Sequence, residues 1–253
     1  MNEILRAEHV TKSYSDKTVL KDIGLTLGEG ELVCLLGISG VGKSTLFNVL
    51  SGLTVPDEGK VLLRGDSDGA WQDITGRSGN LSYMLQKDLL LPHKYVIDNV
   101  ALPLTLKGMN KKDAREKASE YFERFGLAGT EKKYPVQLSG GMRQRAALLR
   151  TYLTGNKVAL LDEPFSALDT ITRAAMQEWF LEVMEEIKLS TIFITHDVDE
   201  AILISDRIYI MKGEPAGLSE DIPVSAPKPR DPAYTTSEEF VAYKKKIRGI
   251  LFS

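Results

Sequence analysis

The stretch "GISGVGKST", Gly37 to Thr45, places a glycine, four intervening residues and then Gly-Lys-Ser, a spacing at which a loop can wrap its backbone around a phosphate. Its surroundings match that reading. "ELVCLL" before it is a short apolar run of strand type, and "KSTLFNVLSGL" after it shows helical spacing and ends at Gly52, a residue suited to close a helix. Strand, glycine loop and helix follow in order. Gly37, Gly40 and Gly42 let backbone N–H groups turn inward, with Ser39 and Thr45 in the same loop, and the positive end of the helix dipole faces the same point. Lys43 would bridge the β- and γ-phosphates of a nucleotide, and Ser44 would offer its hydroxyl to Mg²⁺. The plain alternative is a glycine-rich turn without a ligand, which the intact nine-residue pattern in this setting argues against.

Working outward, 253 residues with 43% hydrophobic content can bury a sizeable core. No apolar run reaches the roughly 18 residues of a membrane-spanning helix, and "MNEILRAEHV" lacks the basic start and apolar stretch of a signal peptide. A cytoplasmic location is expected. The single cysteine, Cys34, falls in the strand before the loop, where packing is its expected role. Lys plus Arg (32) nearly balance Asp plus Glu (35), so no global basic field points to nucleic acid.

From Leu5 to Leu36, "LRAEHVTKSY", "TVLKDIGLTL" and "LVCLLG" read as short strands, a small antiparallel addition. From about Asp88 to Leu153 the pattern is helical, with "KKDAREKASEYFERFGL" placing Ala114, Ala118, Tyr121, Phe122 and Phe125 on one face. Strands return at "KVALLD", "TIFITHD" and "DRIYIM", alternating with helices over 172–187 and 198–204, which argues for a parallel sheet with covering helices. After Met211, "DIPVSAPKPRDP" reads as an extended linker. Thr236 and Glu239 have capping-box spacing for a last helix whose apolar positions are Phe240, Tyr243, Ile247 and Leu251. A docking helix is favoured there over a basic membrane-facing one built on Lys244, Lys245, Lys246 and Arg248. The boundaries that follow are 1–87 with 154–216, then 88–153, then 217–253.

"VALLDEP", Val158 to Pro164, is a buried strand ending in adjacent carboxylates, a costly arrangement unless a cation or a proton transfer uses them. Asp162 could hold Mg²⁺ through water, and Glu163 could polarise an attacking water. "LSGGMRQR", Leu138 to Arg145, adds a hydroxyl, two glycines and a basic helix: a second anion site, or an ordinary helix capped by Ser139.

Together these residues resemble the nucleotide-binding subunit of ATP-binding cassette transporters over about Leu5 to Lys212, and "LSGGMRQR" is the most specific element. The resemblance implies an α/β fold, a P-loop NTPase (RecA-like) core with a small antiparallel β subdomain and an inserted helical subdomain. It implies ATP and Mg²⁺ as ligands, and a head-to-tail homodimer formed on ATP binding. In that dimer Ser139, Gly140 and Gly141 of one chain close on the γ-phosphate held by Gly37 to Thr45 of the other. ADP lacks that γ-phosphate, so hydrolysis would release the pair.

Residue by residue, Tyr14 in "TKSY" is similar to the aromatic on which adenine stacks. Gln86 in "YMLQKD" matches the glutamine that reaches Mg²⁺ and the attacking water. Asp169 in "SALD" matches the loop aspartate that communicates across the dimer, or serves as a helix cap. His196 in "FITHDVDEA" matches the switch histidine on the γ-phosphate. His9 and His93 have no such setting. Ile38 and His93 depart from the family's commonest residues without removing a catalytic position.

The stretches "LPLTLKG", "FSALDTITR" and "EEFVAYKKKI" look most like the nitrate, sulfonate, taurine and hydroxymethylpyrimidine importer branch. The resemblance implies two separate transmembrane permease subunits, an extracytoplasmic solute-binding protein, a place on the cytoplasmic face of the membrane, and no nucleic acid. A soluble cassette ATPase acting on DNA or ribosomes would usually carry a long coiled-coil insert or two modules. A P-loop kinase would leave "LSGGMRQR" unexplained.

Overall fold

The computed structural model describes residues 2–65, 69–219, 221–228, 230 and 232–252, so Met1, Pro229 and Asp231 of the stretches read above lie outside it. In chain order the elements are β1 (Glu3–Tyr14), β2 (Lys17–Gly28), β3 (Leu32–Gly37), α1 (Lys43–Leu50), β4 (Glu58–Arg64), β5 (Trp71–Asp73), β6 (Ser82–Met84), α2 (Val96–Val100), α3 (Leu102–Leu106) and α4 (Lys111–Ser119). There follow α5 (Gly140–Tyr152), β7 (Val158–Asp162), α6 (Thr170–Ile187), β8 (Ser190–Thr195), α7 (Val198–Ile204), β9 (Arg207–Lys212), β10 (Gly217–Leu218), β11 (Ile222–Pro223) and α8 (Glu238–Leu251). The chain divides into two compact units, Met1–Leu81 with Lys188–Ser253, and Ser82–Ile187.

The first unit holds two kinds of sheet. An antiparallel one runs β2-β1-β4-β5. Its register slips between Ala7 and Val10, near His9 at φ 52°, and Asp22 opposite stands at φ 50°. In the other, β3 lies between β8 and β9 and is parallel to both. All six residues of β3 and all six of β8 are buried, the near-continuous apolar text expected of parallel strands covered on both faces. Helix α1 buries Leu46, Phe47, Val49 and Leu50 completely. At about 1.5–3 kcal/mol for each large apolar side chain, that burial anchors the loop that precedes it. The helix stops at cap Ser51, followed by Gly52 at φ 75°.

The stretch expected as an extended linker is in part paired and in part turned: β11 adds antiparallel to β9, as does β10 just before it, and a 3-10 turn begins at Pro232. The last helix begins one residue later than the capping-box spacing implies. Ser237 Oγ accepts from Phe240 N at 3.1 Å and takes the cap position, while Thr236 closes the preceding turn by donating to Ala233 O. Phe240 and Ile247 are 2% and 0% exposed, so α8 docks by its apolar face.

The second unit pairs β6 with β7 in parallel and surrounds them with helices. The helix expected over 111–127 ends at Ser119. Beyond it Tyr121 N and Phe122 N donate to Ala118 O and Ser119 O, so the spacing tightens from four residues to three. Ala114, Ala118, Phe122 and Phe125 are nonetheless all buried. Phe125 meets Tyr152 and Trp179 with ring centroids 6.0 and 5.9 Å away. No helix among the described residues is long and apolar enough to cross a membrane.

Candidate functional site

In the first unit, each phosphate-loop glycine is required for a separate reason. A Cβ on Gly37 would lie 2.7 Å from Met211 O, closer than side-chain carbons come. Gly40, at φ 80°, has open space around it and is needed for conformation alone. Gly42 combines both constraints: φ is 118°, and the Val19, Leu20 and Met211 side chains stand 3.1–3.3 Å from where a Cβ would lie. Lys43 is 6% exposed, and its Nζ donates to Gly37 O at 2.8 Å and Ile38 O at 2.9 Å. Ile38 thus contributes through its carbonyl while its side chain is exposed. Ser39, Gly40 and Ser44 are exposed and Thr45 is half-buried, which leaves the loop rim open to solvent.

The same unit carries Tyr14, a residue 48% exposed, with Lys12 Nζ 5.5 Å from the ring centroid. His196 is exposed directly after β8, and Asp197 beyond it caps α7. His9 hydrogen-bonds Asp22 at 2.7 Å on the surface. Cys34 is fully buried, and burial, reinforced by the charge of Glu200, pushes its thiol well above the ordinary range. The thiol is therefore a packing group.

In the second unit, β7 delivers Asp162 and Glu163. Glu163 adopts φ 45°, a left-handed conformation that costs a non-glycine residue about 1–2 kcal/mol. Its carboxylate accepts from Gln86 Nε2 at 3.0 Å, and the same nitrogen donates to Ser166 Oγ at 3.3 Å. Ser166 Oγ in turn donates to Glu163 O at 3.0 Å. Gln86 and Glu163, 77 positions apart, are brought together. Ser166 is the member of this cluster that the sequence reading lacks, although a serine three residues after the acid is placed to bond back to it. Tyr83, on β6 opposite Leu160, has its phenol pushed up by burial and then by the charge of Asp162.

The helix of "LSGGMRQR" is α5, and Ser139 is its cap, accepting from Met142 N at 3.2 Å. Helix geometry leaves the first N–H groups, those of Gly140 and Gly141, outside the intrahelical ladder. Carbons built on these glycines would touch Leu168 and Thr172 at 3.4 and 3.5 Å. Asp169 caps the next helix, accepting from Thr172 N at 3.1 Å. Hydrogen bonds from the Thr172 hydroxyl and then its backbone hold the Asp169 carboxyl below its usual range.

The basic residues of α5 are used internally. Arg143 Nε reaches Asp88 at 3.3 Å, and Arg150 donates to the carbonyls of Asp88 and Leu89, the segment just after Gln86. Arg145 lies over the Trp179 ring, 4.4 Å from its centroid.

A glycine loop between a buried parallel strand and a helix, with a lysine on its carbonyls, defines the P-loop class of nucleotide-binding protein. Residues 20–166 match the ABC transporter family, and the chain belongs to it as an ATP-binding, ATP-hydrolysing member. It is 39% identical to the formylaminopyrimidine import ATP-binding protein ThiZ of Halalkalibacterium halodurans, over 99% of this chain and 97% of that one. It is 40% identical to the aliphatic sulfonates import ATP-binding protein SsuB of Bacillus cereus, over 94% and 92%. Among solved structures, the ATP-binding cassette MJ0796, a post-hydrolysis dimer with ADP and Pi, superposes with a TM-score of 0.72 at 27% identity, covering 88% of this chain and 100% of that one. The cbiO1 protein of Clostridium perfringens, part of the transporter complex cbiONQ, gives 0.79 at 24%, covering 99% and 95%.

Proposed function

We propose that the chain powers import of a small solute: it hydrolyses ATP on the cytoplasmic face of the membrane, bound to two separate permease subunits, with an extracytoplasmic binding protein delivering the solute. The import relatives support a sulfonate or a pyrimidine precursor as that solute. The boundaries 1–87 with 154–216, 88–153 and 217–253 remain our reading of the functional parts.

Gly37, Ser39, Gly40, Gly42, Lys43, Ser44 and Thr45 hold the phosphates, and Tyr14 stacks on adenine. Ser44, Asp162 and Gln86 would hold Mg²⁺, which suits hard oxygen donors. Gln86 fits that part because its nitrogen is committed to Glu163 and Ser166, which leaves Oε1 for a cation. When bound, the ion would supply positive charge against that of the phosphate oxygens. Glu163 takes a proton from the attacking water as the water oxygen bonds to the γ-phosphorus and ADP leaves, while His196 contacts the γ-phosphate. Two copies pair head to tail, and Ser139, Gly140, Gly141 and Asp169 of one act on the nucleotide of the other.

The observation that carries the hydrolytic reading is Glu163, kept in a left-handed turn with the Gln86 amide on its carboxylate. A Ser139→Arg change should spare ATP binding by the monomer and block pairing. Sedimentation with ATP in a Glu163→Gln background is the check, and an unchanged dimer would refute the cross-chain contact. Uptake of labelled sulfonate or formylaminopyrimidine by vesicles holding the chains that co-purify with it tests the solute.

A further inference from the structure

We infer that the carboxyl-terminal segment, Val224 to Lys244, braces α7 at both ends and thereby sets the position of His196, with Arg230 and Lys244 as positioning residues. This rests on the reading of His196 as the γ-phosphate contact.

Helix α7 has seven residues, too few to be stable without tertiary support. It starts two residues after His196, and the join is tight. Asp197 N donates to Thr195 Oγ1 at 3.1 Å, and Asp197 Oδ1 accepts from Asp199 N and Glu200 N at 2.8 and 3.3 Å. The His196 backbone is thus bracketed by the end of β8 and the cap of α7. Any tilt of α7 moves it.

At the far end of α7 sits the guanidinium of Arg230, 6% exposed. Its Nη1 donates to Ile202 O, Leu203 O and Ser205 O at 2.8, 3.3 and 2.6 Å. Nη2 donates to Val224 O and Ala226 O at 2.9 and 2.8 Å, and Nε to Ala226 O at 3.1 Å. A cation against the last carbonyls of a helix meets the negative end of its dipole. It also gives those carbonyls the partners that the helix itself cannot supply. The same fork grips the tail's own carbonyls, so one planar group fixes the distance between tail and helix. Docking alone would be met by an apolar side chain without the cost of burying a charge. What the guanidinium adds is direction.

At the near end, Lys244 of α8 reaches Asp199 in the first turn of α7, with Nζ 2.6 Å from Oδ1 and 2.8 Å from Oδ2. Between these two ties, Tyr243 Oη accepts from Ser225 N at 3.0 Å, Val224 N donates to Asp206 O at 2.8 Å, and Lys228 pairs with Asp206 at 2.7 Å. Val224, Lys228, Arg230 and Lys244 thus tie the segment to α7 and the turn that follows it, and the Ser225–Tyr243 bond ties the segment to itself.

The protein has three histidines, so ring Cε1–Hε1 correlations of the full chain labelled at histidine give three signals, His9, His93 and His196, each assignable by replacement. In nucleotide-free Arg230→Gln and Lys244→Gln, the His196 signal should move while those of His9 and His93 stay. ATP turnover should fall roughly ten-fold with KM for ATP little changed, the signature of a misplaced contact rather than lost binding. Pairing Lys244→Glu with Asp199→Lys should return both signal and turnover towards the wild type. If Arg230→Gln fails to fold, the half-exposed Lys244 carries the test. A His196 signal superimposable on the wild type in Lys244→Gln would overturn the brace, as would an equal loss of turnover when the change is made in a His196→Ala background. Wild-type hydrolysis by His196→Ala alone would instead refute the role given to His196, and the ring signals would still decide the brace.

Discussion

Between Gly37 and Thr45 the residues at positive φ are both glycines, Gly40 at 80° and Gly42 at 118°, whereas at the end of β7 the residue at φ 45° is Glu163. In the function proposed above, the loop holds phosphate through its backbone, so side chains there can be dispensed with and strain removed at no functional cost. The acidic turn, in the same proposal, acts through a carboxylate, so glycine is not available to it and strain stays in the fold. The burial differs in the same sense. Lys43 and Gly37 are enclosed and fixed by close contacts, while Gln86, which approaches Glu163, is exposed and held by two hydrogen bonds.

The strongest way to break this comparison is Glu163→Gln. The substitution keeps length, shape and backbone preference but removes the proposed proton acceptor. Turnover should fall by roughly 10²–10⁴-fold, with ATP still bound, measured by phosphate release against equilibrium titration. Unchanged turnover would mean that the strained position serves something other than proton transfer.

Next in size is a contrast within the loop. Gly37→Ala drives a carbon to 2.7 Å from Met211 O, main chain that has no rotamer to yield. Overpacking of this kind costs about 1–3 kcal/mol, and it should appear as lower thermal stability together with weaker ATP binding. Gly40→Ala meets nothing within 4 Å and bears only the conformational cost of φ 80°, about 1 kcal/mol. Equal losses in calorimetry of the two variants would show that close approach to β9 is irrelevant to the loop.

These differences also explain what could be read from the text of the chain. The phosphate loop was legible because its geometry is local: nine residues contain the glycines, and the strand and helix that fix them are adjacent. Two caps were legible for the same reason, since Ser139 and Asp169 each bond a backbone N–H three residues on, while the cap expected at Thr236 falls at Ser237. The end of α4 was not, because a switch to three-residue spacing leaves the same apolar residues buried. Arg230 was hidden in a proline-rich stretch, and its partners, Ile202 to Ser205, are at least 25 positions away. The basic run of "GMRQR" pointed to an anion, yet Arg143 goes to Asp88 and Arg145 to Trp179. Residue type supplies the charge. Where a long side chain delivers it depends on tertiary neighbours.

The smallest expected effect sharpens the contrast most directly. Glu163→Gly and Glu163→Ala both delete the carboxylate and the hydrogen bond from Gln86, so comparing them cancels every side-chain contribution and leaves the backbone. In an ordinary setting alanine is the more stable of the two by roughly 0.5–1 kcal/mol, because glycine gives up more chain entropy on folding. At φ 45° the order should reverse: alanine carries the left-handed penalty of about 1–2 kcal/mol and glycine does not, for a net advantage to glycine of about 1 kcal/mol. Chemical denaturation of the two inactive variants measures this directly. Alanine as the more stable residue would mean that the turn relaxes when the carboxylate is gone, and that the strain belongs to the Gln86–Glu163 contact and not to the path of the chain.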